Sequence, residues 1–308
     1  MHIGWREFLT RRFIKPAKYL SLGIEYGIDE LHLTTLQNIK GQLCWVKQHT
    51  MDSIDWVKQL HAYVAEQQLN NTPCHVSLAL NKYQLLQLDK PAVPETEINQ
   101  ALNWTVREQV FSDGELAIDY FDLPAAPANS KKINVVALDK SEIVTIRNGV
   151  LAAGLALHSI GIEELSACQL IAGGDEAALI VQQSAGEQLS LRIIKNGILY
   201  FSRRLRGYEN LATFSEQELQ MGIVDNLCLE IQRSMDYFES QLRQAPLKKV
   251  YILLETPHQT ALCKMIGELI FLNVSELQVP IQRHESLAHQ PLPLTSLGAG
   301  LEIVGGSL

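Results

Sequence analysis

Two stretches of this chain alternate apolar and polar positions in the same order. Across 20–41 (LSLGIEYGIDELHLTTLQNIKG) an apolar strand, a short polar turn holding one glycine and a second alternating strand lead through Asn-x-x-Gly into a third. Across 178–199 (ALIVQQSAGEQLSLRIIKNGIL) the same succession returns and ends in Lys-Asn-Gly. A repeat at a spacing of about 160 residues predicts two half-domains of one plan facing each other across a cleft.

The periodicity fills in the elements. Strands are predicted over 19–25, 30–35 and 42–50, with Leu31, Leu33, Leu43 and Trp45 on buried faces. Ile54, Val57, Leu60, Tyr63 and Val64 at helical spacing predict a helix over 51–69, and CHVSLAL predicts a strand over 74–80. Pro91 and Pro94 then interrupt the pattern. After them come a helix over 95–111, an Asp113-Gly114 turn, a strand over 116–122, a linker-like loop, a strand over 132–139 and a helix closing at Gly154. A strand and helix over 157–171 return to the first half. The second half restarts at Ala177, runs through a polar helical region over 215–244, a strand over 249–255 and a helix over 258–270, and closes on the small residues of LTSLGAGL. The β-β-β-α-β order, used twice, is that of the ribonuclease H-like and actin-like folds. The expected class is therefore α/β, an actin-like ATPase fold of two ribonuclease H-like halves with an insertion in the first. The expected divisions are a basic leader 1–18, a first half 19–90 with 155–175, an inserted subdomain 91–154, a second half 176–210 with 246–308, and a helical subdomain 211–245.

Composition narrows the chemistry. With 308 residues, 46% hydrophobic and 19% charged, the chain has the make-up of a globular protein, and its net charge of -8 gives no electrostatic reason to bind nucleic acid. Cys44, Cys74, Cys168, Cys228 and Cys263 are scattered, with no C-x-x-C, so neither a disulfide framework nor a metal site is predicted, and a reducing cytoplasm is. No apolar run reaches the length of a membrane span. The leader carries Arg6, Arg11, Arg12, Lys15 and Lys18 around Trp5, Phe8 and Phe13, which fits a flexible leader or a brush against an anionic membrane. No H-E-x-x-H, G-x-S-x-G or Walker motif is present, so no catalytic residue is assigned. Arg203, Arg204 and Arg206 read as a solvated strand edge or as a docking patch for an acidic partner.

The stretch INQALNWTVREQVFSDGELAIDYFDLP carries a resemblance: Leu102, Trp104, Glu108, Gln109, Val110, Asp119 and Tyr120 fall on the helix-loop-strand pattern of the PilM family of actin-like type IV pilus assembly proteins. The following passage, from NVVALD to SACQLI, is similar to that family too, nearest its MSHA-pilus branch. The resemblance implies a cytoplasmic protein held at the inner membrane through its partners. One partner is a PilN-like membrane protein, whose N-terminal tail family members hold in a groove between the first subdomain and the inserted one; another is the pilus motor ATPase. On that basis Trp104, Glu108, Val110 and Tyr120 are groove candidates, although Trp104 reads equally as core and Glu108 as a solvated helix face.

Nucleotide binding is disfavoured by the same comparison. ATP-binding relatives carry Asp, Gly and Ser or Thr in the first turn, where this chain has Glu25 and Gly27 without the hydroxyls, and Tyr26 and Ile28 are expected to put bulk near the cradle. The second turn has Gln183, Gly186 and Glu187 in place of Asp-x-Gly-x-x-x-Thr. The adenosine-side strand ends Leu-Leu-Glu-Thr-Pro, with no glycines for close approach to a purine. Gly298 and Gly300 match the family's closing element, or serve tight helix packing. The expectation is no cofactor, with ATP and Mg²⁺ as the disfavoured case. The alternative readings are an ATP-binding switch in which Glu25 takes the metal role, and the cytoplasmic domain of a GspL-like type II secretion protein.

Overall fold

The computed structural model describes residues 17–110, 114–125, 127, 131–171, 176–184, 187–279 and 281–305, and most of the basic leader lies outside them. The first meander is β1 (Ser21–Tyr26), β2 (Glu30–Ile39) and β3 (Gln42–Asp52), followed by α1 (Trp56–Gln67) and β4 (Pro73–Leu78). Alternation sorts β1 into two faces. Leu22, Ile24 and Tyr26 join the core under α1, where Trp56, Leu60 and Val64 meet them. Ser21, Gly23 and Glu25 point the other way. The helix begins five residues later than its periodicity predicts. Asp52 accepts a hydrogen bond from the backbone N–H of Ile54 at 2.6 Å, an Asx turn that ends β3 and leaves Ile54 exposed.

The inserted subdomain has a three-stranded antiparallel sheet, β5 (Gln84–Asp89), β6 (Leu116–Asp122) and β7 (Lys132–Asp139), in the order β5-β7-β6. Its helix α2 (Ile98–Gln109) covers one face through Ile98, Leu102 and Val106. The other face, including Leu85, Phe121 and Val136, lies on the core of the first half. The sheet therefore starts at Gln84, seven residues before the boundary read from Pro91. Strand β5 escapes a period-2 reading because both its faces are covered, Leu85 on one and Leu86 with Leu88 on the other. Helix α3 (Lys140–Ala152) leads to β8 (Ala156–Ile162) and the short α4 (Glu163–Cys168).

The second half repeats the plan: β9 (Ala178–Gln183), β10 (Leu189–Lys195), β11 (Ile198–Leu205), a helical run ending in α5 (Val224–Asp236), then β12 (Lys249–Leu254), α6 (Gln259–Ile270) and β13 (Asn273–Glu276). With β14 (Gln282–Arg283) at its edge, the first main sheet runs β14-β3-β2-β1-β4-β8 and the second β11-β10-β9-β12-β13, so the order third-second-first-fourth-fifth recurs, with β1 parallel to β4 and β9 parallel to β12. The duplication read from the two turns is thus a duplication of topology. No helix of the described residues is long and apolar enough to cross a membrane.

The end of the chain departs from the simple division. Strand β14 (Gln282–Arg283) pairs with β3, and helix α7 (Leu294–Gly305) lies on β1, β2 and β4. Residues 282–305 therefore complete the first sheet and not the second. Small side chains make this possible. An ideal Cβ on Gly23 would stand 1.9 Å from the Ser296 carbonyl oxygen, and one on Gly298 would stand 2.2 Å from that of Ser166. Hydroxyls fill the remaining polar valences: Thr34 and Ser296 share a 2.7 Å hydrogen bond, and Ser21 donates to the Gly300 carbonyl at 2.6 Å.

Candidate functional site

The two duplicated turns open on a cavity of about 940 Å³ whose lining includes Glu25, Gln183, Ser184, Glu255 and Thr256. In the first turn Gly27 donates to the Glu30 carbonyl at 3.1 Å, and a Cβ on Gly27 would stand 2.7 Å from that oxygen. Its glycine is thus required by the turn's own closure. Glu25 faces the cavity, but Tyr26 does not. Against expectation it is buried, edge-on to Trp56 at 5.6 Å between ring centroids, because its neighbour in the alternation faces the cleft. Ile28 is half exposed at the tip of the turn.

In the second turn Gln183 is occupied internally. Its amide donates to the carbonyls of Glu187 at 2.8 Å and Tyr208 at 2.6 Å, tying this turn to the end of β11. Gly186 lies outside the described residues. The strand end that faces the adenosine in a nucleotide-binding protein is also closed. Leu254 N–H donates to the Gln259 side chain at 2.7 Å, Glu255 N–H to Gln183 at 3.1 Å and Thr256 N–H to Leu254 at 2.9 Å. Gly298 and Gly300 meet Ser166, Gly23 and Leu36, the contacts that tight helix packing requires.

Behind the cavity the halves are joined by buried charge that the sequence reading did not find. Arg192 on β10 is fully buried and donates to Glu163 at 2.5 Å and to Gln182. Arg204 on β11 pairs with Glu164 at 3.2 Å and donates to the Leu80 carbonyl at 2.5 Å, while Tyr83 donates to the same Glu164. Arg204 is therefore an inter-half tie and not a solvated edge, whereas Arg203 pairs with Glu230 at 2.8 Å. The available signal was one arginine inside the apolar run LSLRIIK.

The cavity is acidic. Burial, then the charges of Glu163, Glu187 and Glu255, hold the Glu25 carboxyl well above the usual carboxylate range, against a smaller opposing effect of Arg192. Burial, with Glu163 and Glu255, pushes Glu187 up to about 7. Phosphate-binding sites supply free N–H groups and positive potential. Here the Gln183 amide is bonded internally and Arg192 is already paired, while Arg283 at the cavity wall lies over the Trp45 ring and donates to the Gln290 carbonyl at 3.0 Å. The described residues do not fit a magnesium-bound triphosphate.

Glu187 supplies a test. A raised native pKa means that the folded state holds a proton the unfolded chain has released. The associated stability is full below about pH 4.5 and is lost as pH rises toward 7. After allowance for partial exposure, wild type is expected to lose about 1 kcal/mol more than Glu187→Gln between pH 5 and 8, roughly 2–4 °C in melting temperature. Parallel melting profiles for the two proteins would refute the assignment.

The groove candidates do not converge. Trp104 is 76% exposed and Glu108 is exposed beside it on the outer face of α2, four residues apart. Val110 is buried in the core of the inserted subdomain, and Tyr120 is half-buried against that same core. A separate concavity lies between α1 and the end of α3, whose Ile146 and Val150 join the core of the first half. It measures about 520 Å³ and is lined by Asp55, Trp56, Val57, Lys58, His61 and Ala152. Exposed Ile54 and Leu151 adjoin these lining residues in the chain. The sequence reading counted Val57 toward a buried helix stripe, and nothing in its spacing distinguishes a stripe residue at the rim from one in the core.

No family model matches the chain, and no curated protein matches its sequence. In structure it is similar to a solved PilM–PilN type IV pilus biogenesis complex, with a TM-score of 0.66 and 14% identity over 92% of this chain and 98% of that one. The fold is the actin-like ATPase fold. The chain is also similar to the cytoplasmic domain of EpsL, an inner membrane component of the type II secretion system of Vibrio cholerae (TM-score 0.51, 10% identity, 93% and 95% covered). A Bacteroides thetaiotaomicron protein described as having an actin-like ATPase fold and unknown function aligns with a TM-score of 0.49, at 9% identity over 84% and 91%.

Proposed function

We propose that the protein is a non-catalytic cytoplasmic adaptor of a type IV pilus assembly, held at the inner membrane through its partners. It docks the N-terminal tail of a PilN-like membrane protein and couples it to the motor ATPase. The motifs of the inserted subdomain favour an MSHA-type pilus. The observation that carries this reading is the likeness to PilM in its complex with PilN over nearly the whole of both chains. A cleft lined by Glu25 and Glu255, with the Gln183 amide bonded internally, supports the non-catalytic part. The tail sits between α1 and α3, where Trp56 and Val57 give an apolar floor and Asp55, Lys58 and His61 a polar rim.

Titration with a synthetic PilN-like tail peptide is expected to give micromolar binding. Val57→Asp weakens it at least tenfold, and Trp104→Ala leaves it within about twofold, as expected when a charge enters a desolvated contact. Loss with Trp104→Ala alone would move the docking surface to Trp104 and Glu108 on the outer face of α2. Failure to bind the tail of any pilus inner-membrane protein would overturn the adaptor reading. Calorimetry with Mg-ATP is expected to be silent at millimolar nucleotide, and micromolar binding would restore the ATP-binding switch. The likeness to EpsL supports a second reading, the cytoplasmic domain of a GspL-like secretion component, at a lower TM-score.

A further inference from the structure

Between the end of β11 and helix α5 runs a second groove, of about 550 Å³, on the face of the second half away from the α1–α3 concavity in sequence and in lining. Arg203, Arg204, Arg206 and Arg233 line it against one carboxylate, Glu230, in a chain whose net charge is -8. Arg204 is committed to Glu164 and Leu80. Glu230 lies between Arg203 at 2.8 Å and Arg233 at 2.6 Å, so a single negative charge holds two guanidinium groups at the rim. Arg206 is exposed and has no hydrogen bond or ion pair among the described residues. Among the lining side chains Arg203, Arg206 and Arg233 thus outnumber the one carboxylate, with Glu209 beside them accepting from the Gly207 N–H at 2.9 Å.

The floor is apolar. Phe214 and Ile223 lie partly buried against the second-half core, and Leu229, also lining the groove, is 53% exposed. The helix wall from Ile223 to Arg233 is about 15 Å long, which spans four or five residues of an extended chain. Tyr208, at the end of the groove, is fixed by the Gln183 amide, so the site is preformed and not assembled from a loose loop.

We propose that this groove docks an acidic segment of a partner protein, with one or two apolar side chains on the Phe214–Leu229 floor and carboxylates against Arg203, Arg206 and Arg233. Charge complementarity selects the partner. Carboxylates of an acidic segment find here the one concave basic surface among the cavities described, and the apolar floor gives them a neighbour that a bare anion cannot use. The surface is independent of the α1–α3 groove, so the protein is able to hold two partners at once.

The test is fluorescence anisotropy of a labelled twelve-residue peptide of alternating Glu and Leu, with the full chain. Expected is binding that weakens at least fivefold between 50 and 300 mM salt, as screening of exposed charges requires. The Arg206→Glu, Arg233→Glu double variant should lose at least tenfold, and Leu229→Asp a similar factor, with melting temperatures held near wild type. Arg283→Glu, which lies elsewhere, should bind as wild type. Undiminished binding by the double variant overturns the proposal. So does tighter binding of a single-stranded DNA oligomer, inorganic triphosphate or anionic vesicles than of the peptide, because each would make the groove a general anion site.

Discussion

Arg192→Met is expected to destabilise the protein by about 3–5 kcal/mol, because it leaves the Glu163 carboxylate buried without its partner. At this chain length that is a fall of roughly 10 °C in melting temperature. The decisive comparison is the double replacement Arg192→Met with Glu163→Met. Removing both charges abolishes the uncompensated carboxylate, so the double variant should recover most of the loss, to within about 2 kcal/mol of wild type. Equal loss in single and double variants would show that Arg192 matters for packing and not for charge. The pair joins α4 of the first half to β10 of the second, so the single variant should also loosen the junction. Hydrogen exchange at α4 amides should quicken more than exchange at α6, which lies wholly within the second half.

Gly298→Ala should be, together with Gly23→Ala, the costliest methyl addition at a glycine among the described residues. Each puts a carbon within 2.2 Å of a backbone carbonyl oxygen, and neither neighbour is the end of a flexible side chain. Helix α7 has to move off the sheet. It then weakens the Thr34–Ser296 and Ser21–Gly300 hydrogen bonds, each worth about 1 kcal/mol, on top of overpacking of about 1–3 kcal/mol. The expected cost is about 3–5 kcal/mol for either variant. Gly300→Ala is the control. Its nearest neighbours, Leu36 Cδ1 at 3.3 Å and Gly23 N at 3.4 Å, yield with small shifts, and a change under about 1 kcal/mol is expected. A thermal melt ranks the three. If Gly298→Ala melts with Gly300→Ala, the close approach is not as drawn.

What the sequence revealed and what it hid follow from the range of each interaction. The meanders were legible because β1 to β3 and β9 to β11 pair with their sequence neighbours and each shows one apolar face. That the second turn carries a neutral Gln183 was legible as residue type. The fate of its amide, donated to Tyr208 twenty-five residues away, was not. Strand β5 was hidden because a strand covered on both faces loses its alternation. Strand β14 was hidden by its length of two residues. Arg192 and Glu163 each break an otherwise plain pattern, but only the fold brings residues 29 positions apart into one buried pair. Val57 was read as part of a buried stripe, since helical spacing reports a face and not its depth.

The return of α7 to β1 also bears on the order in which this protein is made. Ser21 and Gly300 are 279 residues apart and bonded to each other. As the chain leaves the ribosome, the first sheet forms with one face under α1 and the opposite face bare at Gly23. It stays bare through synthesis of the entire second half, because no earlier segment among the described residues supplies the small side chains that fit there. The older half of the molecule is thus the last to be finished. Until then it depends on whatever in the cell shields a half-covered sheet from its neighbours.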